Sequence, residues 1–283
     1  MTIDVISWDE RYPDPTVLRG EVKSILDAYV ETLFEFIPQD ELKGIYFKGS
    51  AQKEWDTPLD YVPELSDVDI HVLFATAPRG EFPDTVEDAL AIAAAAERKF
   101  YENIAAPVHF PRVQLMVLNR LMEEPDFMGT PPGATTVLYG AEPPETDYGD
   151  VERIVELDSQ RLVAEESFLR RLPPQLVDRP GRYIWDVLRR LTWRVAPAGP
   201  RALTVLGAAP PGEVWVANRT AVIGLLRDAG EDALADDYSR FYLYGWDYFL
   251  LGYEDFDAAR SCALAGARVL VRTIEIGKSR SGS

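Results

Sequence analysis

The chain of 283 residues contains one cysteine and two histidines, His71 and His109. A lone cysteine forms no intrachain disulfide, no Cys-rich zinc site and no Cys-x-x-Cys redox pair. Two histidines argue against a multi-histidine metal centre. No run of about 18 apolar residues occurs, so no membrane span is expected. The first 20 residues carry Asp4, Asp9, Glu10 and Asp14 and no apolar signal-peptide stretch. These absences predict a soluble, cytoplasmic protein. Positive charge is also scarce: 29 Lys and Arg stand against 47 Asp and Glu, a net charge of −18. Such a balance argues against broad, sequence-independent binding of DNA or RNA. With 47% hydrophobic residues, the chain has ample material for one large core or two ordinary ones.

The charge is uneven. Residues 1–150 hold 29 acids and 11 bases, whereas residues 151–283 hold 18 of each. The segment Gly140–Asp150, rich in Pro, Gly and acid, lies at the break and reads as a linker. Two domains are expected, 1–147 and 148–283. Beyond the tail Lys278–Ser283 there is no low-complexity tract, and there is no solenoid repeat.

Hydrophobic spacing predicts a helix from Pro15 to about Phe36, with Val22, Ile25, Leu26 and Leu33 on one face. Gly44–Lys48 reads as a short strand ending at Gly49-Ser50. Asp67–Phe74 alternates, with Val68, Ile70 and Val72 facing one way and Asp67, Asp69 and His71 the other. A helix is expected over Asp84–Ile104. Arg112–Leu118 reads as a strand with Arg112, Gln114 and Met116 on one face, and Thr135–Tyr139 as another. Beyond Asp150 the pattern is helical, with expected helices near 150–171, 180–195, 214–229, 232–251 and 255–276. Breaks are expected at Pro173-Pro174, Pro197–Pro211 and Gly230.

The chemistry concentrates in Gly44–Phe74. A strand runs into Gly49-Ser50, a short helix is expected from Ala51 to about Trp55, and a second strand carries Asp67 and Asp69. Gly49 lets the backbone approach a phosphate. Ser50 and the amides of a helix start can bind phosphate oxygens, and Lys53 adds charge nearby. Two carboxylates two apart on a strand point the same way and suit Mg2+, which takes one or two carboxylates plus substrate phosphates.

This segment resembles the nucleotidyltransferase superfamily that includes DNA polymerase β and the aminoglycoside nucleotidyltransferases. The resemblance rests on the apolar strand before Gly49-Ser50 and on Ser66-Asp67-Val68-Asp69. It extends to Thr136–Gly140, TVLYG, and covers roughly residues 20–145. The 16-residue spacer between Ser50 and Asp67 exceeds the family's usual dozen or fewer, and the segment Thr57–Leu65 accounts for the excess. The resemblance implies an α+β chain: a nucleotidyltransferase-like N-terminal domain with a mixed sheet flanked by helices, then an all-α helical bundle. It implies Mg2+- or Mn2+-dependent transfer of a nucleoside monophosphate from a nucleoside triphosphate to a hydroxyl, with release of pyrophosphate. Asp67 and Asp69 would hold the metal, and Gly49, Ser50 and Lys53 the nucleotide. A small-molecule acceptor suits the acidic first half better than a nucleic acid.

One departure stands out. The family often places a third carboxylate on a later strand, and Gln114 occupies that position here. A carboxamide is neutral and accepts no proton at neutral pH. Some members take a base from the helical domain, and Glu165 and Glu166 are the candidates for that substitute; His71 shares the Asp67/Asp69 face. Gln114 also supports an alternative, a nucleotide-binding or protein-interaction module with weakened chemistry; a third reading is transfer of a nucleotide to a protein partner, as in the minimal nucleotidyltransferases this segment resembles.

Other features keep two readings. Lys48 and Lys53 either touch phosphate or are ordinary exposed lysines, and His109 reads as structural. Nine arginines between residues 158 and 201 either bind a triphosphate or pair with the acidic first domain. The aromatic run Phe241–Phe249 reads as bundle core or as the wall of an acceptor pocket.

Overall fold

The computed structural model describes residues 6–78, 82–144 and 148–281. Of the expected linker, residues 145–147 lie outside the described residues, as do Asp4 and the last two residues of the tail. Among the described residues the chain forms two compact units. Residues 8–54 and 66–144 make an α/β unit; residues 6–7, 55–65 and 148–281 make a helical unit.

The α/β unit is built on a four-stranded mixed sheet of β1 (Leu42–Lys48), β2 (Val68–Phe74), β3 (Val113–Val117) and β4 (Thr135–Gly140), in the order β3-β2-β1-β4. β1 runs antiparallel to β2 and to β4, and β2 runs parallel to β3. Helix α1 (Pro15–Phe36) starts where Asp14 accepts from the Thr16 amide and proline fills the first turn, whose N–H would have no helical partner. α1 packs on α2 (Val86–Asn103), each burying a stripe at helical spacing. A register irregularity between Ile45 and Tyr46 puts Tyr139 opposite Ile45, and the Tyr139 ring meets Phe34 of α1 edge-on. Gly140 closes the Leu-Tyr-Gly run at φ +81°, where a Cβ would lie 2.2 Å from the Lys43 carbonyl. Glycine is required there by both conformation and space.

The other face of the sheet changes character along its length. At one end Tyr46 and Leu73 pack with Leu118 of α3 (Leu118–Leu121) and with Leu121, Phe127 and Val137. At the other end the strands carry Lys48, Asp69 and Gln114 side by side, because Lys48 pairs with Asp69 and Asp69 with Gln114.

The helical unit comprises α4 (Val151–Ala164), α5 (Glu166–Asp178), α6 (Ile184–Leu206), α7 (Pro211–Val216), α8 (Arg219–Asp228), α9 (Asp232–Leu250) and α10 (Phe256–Ser281). α10 packs against α4, α6 and α9. The aromatic run is core: Phe241, Tyr242, Trp246 and Tyr248 are buried.

Three local expectations fail, each for a physical reason. Pro173, Pro174, Pro197 and Pro200 lie inside helices rather than breaking them, and the break expected over Pro197–Pro211 falls at its end, between Leu206 and Pro211. Pro200 cannot donate to the Ala196 carbonyl, and the Tyr238 hydroxyl donates to it instead at 2.9 Å. Pro173 and Pro174 lie on the exposed side of α5, where solvent can take the carbonyls they leave. Second, no helix follows Gly49-Ser50. The chain makes a turn closed by the Gln52 amide on the Gly49 carbonyl, 3.2 Å. Third, Trp55–Leu65, expected in the first domain, belongs to the helical unit. Thr57 caps a 3-10 turn at Pro58–Asp60, and the buried Asp60 carboxylate accepts from the Thr220 amide and hydroxyl at 2.8 Å each. The Trp246 indole donates to the Pro58 carbonyl at 2.7 Å, and Leu65 lies where a Cβ on Gly245 would stand. The strap's polar groups have partners more than 120 residues downstream, so a local reading assigns it to the wrong unit.

Candidate functional site

Alternation on β2 sends Asp69 and His71 to one face, and Asp67, the residue just before the strand, lies close enough to Asp69 for its charge to be felt there. The turn after β1 then brings Gly49 against Asp69. Gly49 sits at φ +87°, and a Cβ there would fall 2.0 Å from Asp69 Oδ2. Any side chain at this position would evict the carboxylate, and only glycine adopts the conformation cheaply. Ser50 follows in the same turn. Lys53 lies three residues on, its carbonyl accepting from Arg19 at 3.0 Å, and the Gln52 side chain reaches Thr136 of β4 at 3.2 Å.

The two carboxylates have different surroundings. Asp67 is paired with Arg112, Nη1 to Oδ1 2.7 Å. Asp67 is the more buried of the two; Asp69 is half-buried, and desolvation raises its pKa to about 7, with Lys48 and Arg112 opposing the rise and Asp67 adding to it. Burial lowers the Lys48 pKa, against the pull of Asp69. His71 is held neutral, at about 3, by burial first and by the Lys48 charge second. Perturbed titratable groups gathered on one face of the sheet mark a functional-site candidate.

Gln114 stands beside Asp69 on β3, and its amide approaches Met116 Sδ at 3.8 Å. Gly49, Ser50, Asp67, Asp69 and Gln114 are therefore brought together within the α/β unit, with Lys53 close in sequence. Glu165 and Glu166 belong to the helical unit, and both have cationic partners there: Glu165 pairs with Arg194 at 2.9 Å and Glu166 with Lys278 at 3.2 Å. His109 is structural, its ring and backbone amide both on the buried Glu21 carboxylate.

The arginine-rich stretch has partners that neither reading of the sequence named. Arg161 and Arg201 face Asp158, Arg179 and Arg190 face Asp186, and Arg194 faces Glu165, all within the helical unit. Arg189 donates to the Glu64 carbonyl in the strap. The site residue least visible in the sequence was Lys48. Its signal was the alternation of β1, which puts Tyr46 and Lys48 on one face; recognising its place beside Asp69 needs the β1–β2 register.

This face offers two neighbouring carboxylates, Asp67 and Asp69. Mg2+ accepts a pair of carboxylates when substrate phosphates complete its shell. Among the described residues no group of three or more His, Cys, Asp or Glu side chains is placed to share an ion. No helix among them is long and apolar enough to cross a membrane. Comparison of the chain with family models, with curated proteins and with solved structures found no match.

Proposed function

We propose that the α/β unit binds a nucleoside triphosphate and that the protein transfers its nucleoside monophosphate to a hydroxyl of a small-molecule acceptor, releasing pyrophosphate. The observation that carries this reading is the packing of the left-handed Gly49 turn against the Asp69 carboxylate, with the Asp67 carboxylate nearby at the start of the same strand. A bare-backbone turn gives phosphate close access, and the adjacent carboxylates offer hard oxygen ligands.

Asp67 and Asp69 are the residues that would hold Mg2+ or Mn2+, and the bound ion supplies positive charge against the polyphosphate. The Ser50 hydroxyl and the turn's amides would donate to phosphate oxygens, and Lys53 would add charge. Arg112 orients Asp67 through its 2.7 Å contact. The acceptor oxygen forms a bond to the α-phosphorus as the bond to pyrophosphate breaks, and pyrophosphate departs with the electron pair. Gln114 cannot take the acceptor proton. Glu165 and Glu166 are the candidate bases, and Glu165 must leave Arg194 to serve.

A second reading, a nucleotide-binding module with weakened chemistry, is favoured by one specific arrangement. Asp69 lies between Lys48 and Gln114, and Asp67 is paired with Arg112, so the chain's own cations already face both carboxylates. One experiment separates the readings. Each labelled nucleoside triphosphate is incubated with the protein and Mg2+, and binding and pyrophosphate release are measured for wild type and for Asp67→Asn/Asp69→Asn. Binding lost in the double variant, with pyrophosphate released when an acceptor panel is added, supports transfer. Binding without release supports the module, and no binding of any nucleotide removes both.

A further inference from the structure

The sheet face that carries Asp69 continues, one row on, into a cavity of about 30 Å3 lined by Tyr46, Lys48, His71, Phe127, Thr130 and Thr135, among others. About 10–15 Å3 suffices for one water, so the space admits a single small polar group. His71 is only 4% exposed, and its Nε2 has no hydrogen-bond partner among the described residues. A buried polar atom left unmet is costly, and folded proteins keep few of them. Lys48 lines the same space. Its ammonium carries three donors, enough to face Asp69 and a second acceptor together.

These features define the chemistry of the occupant. A cationic group would meet the Lys48 charge among the apolar walls of Tyr46 and Phe127, where electrostatic repulsion is poorly screened. A purely apolar group would leave His71 Nε2 unmet. An oxyanion satisfies both, accepting from the ammonium and from an imidazole N–H, with the Thr130 and Thr135 hydroxyls also available. We propose that this cavity is a binding pocket for one oxyanion, the carboxylate or phosphoryl end of a small molecule, held between Lys48 and His71. The pocket needs neither metal nor nucleotide, so it goes beyond the transfer reading and stands apart from it. It also narrows the ligands that can enter here, because an aminated group such as those of an aminoglycoside is disfavoured beside Lys48.

The chain has two histidines, which makes the test direct. Two-bond 1H–15N spectra of the imidazoles are recorded while formate, acetate, inorganic phosphate or methylammonium is added at constant pH and ionic strength, without Mg2+ or nucleotide. His109, buried against Glu21, is the internal reference. The expected result is a saturable shift of His71 Nε2 with an oxyanion, no movement of His109 and no response to methylammonium. Response to formate and acetate alone identifies a carboxylate ligand; response to phosphate identifies a phosphoryl one. In Lys48→Met the dissociation constant is expected to rise at least about tenfold, the weight of one charge-assisted contact. No saturable shift with any oxyanion, an equal response to methylammonium, or unchanged affinity in Lys48→Met would overturn the proposal. Should Lys48→Met not fold, the preference of the wild-type protein for anion over cation decides alone. Nucleotide binding plays no part in these samples, so failure of the transfer reading leaves the outcome untouched.

Discussion

The two units use charge in opposite ways. In the helical unit, acids and arginines meet one another: Asp158 with Arg161 and Arg201, Glu165 with Arg194, Glu231 with Arg272. The strap brings in Asp56 and Asp60, and these too meet partners there, Asn218 and Thr220. In the α/β unit, Lys48, Asp69 and His71 crowd one buried face, and burial drives each toward its neutral form. Burial alone therefore does not mark a site. Asp158 is also buried and also shifted upward, but two guanidinium groups answer it. What separates the sheet face is the juxtaposition of these groups with the bare Gly49 turn and with a cavity.

Four measurements would break or sharpen that contrast. The largest effect is expected in the helical unit. Arg201→Met leaves the buried Asp158 carboxylate with Arg161, at 3.9 Å, as its one remaining cation beside the Thr204 and Trp215 hydrogen bonds, and should cost about 3 kcal/mol in urea unfolding. A loss below about 1 kcal/mol would mean that the buried pair contributes little to the fold. Next, Gly49→Ala should destabilise by about 2 kcal/mol, combining a left-handed backbone with displacement of Asp69. Titration with Mg2+ and nucleoside triphosphate should show binding abolished in this variant, while Arg201→Met, once folded, retains it.

The third measurement is the pH dependence of stability. Asp69 titrates near 7 in the folded chain against an ordinary 3.8, so the folded state holds a proton that the unfolded chain has released. Its contribution to stability therefore falls as pH rises through that window, by about 1.4 kcal/mol per pH unit. His71 titrates near 3 against an ordinary 6.5, so here the unfolded chain holds the extra proton. Its contribution rises with pH at about the same slope. From about pH 4 to 6.5 the two cancel. Relative to wild type, Asp69→Asn should gain stability with rising pH across that range, and His71→Gln should lose it. Urea midpoints at successive pH values give the answer, and identical profiles for all three proteins would contradict the burial argument. The smallest effect is expected for Lys278→Ala, which removes an exposed partner of Glu166 and should change stability by less than about 1 kcal/mol in the same assay.

Much of the site was legible because it is local. Alternation alone puts Asp67 and Asp69 on one face, and Gly49-Ser50 reads as a turn at the end of a strand. The four strands and the change to helix beyond Asp150 follow from periodicity in the same way. What was not legible depends on partners remote in sequence. Arg112 reaches Asp67 across 45 residues, and Tyr238 rescues the Ala196 carbonyl across 42. The expected helix after Ser50 fails because the chain leaves the turn at once to seat Trp55–Leu65 in the helical unit.

The sequence by itself determined the classes of element, the acidic character of the first half and the presence of two carboxylates beside a glycine turn. Each depends on neighbours within a few residues, where sterics and hydrophobic spacing act directly. Only the tertiary structure decided that Lys48 stands opposite Asp69, that Arg194 and Arg201 are matched within their own unit, and that His71, whose Nε2 has no partner among the described residues, lines a cavity. Register and burial set those relations. They arise when distant segments pair and exclude water, which raises the cost of every charge they enclose.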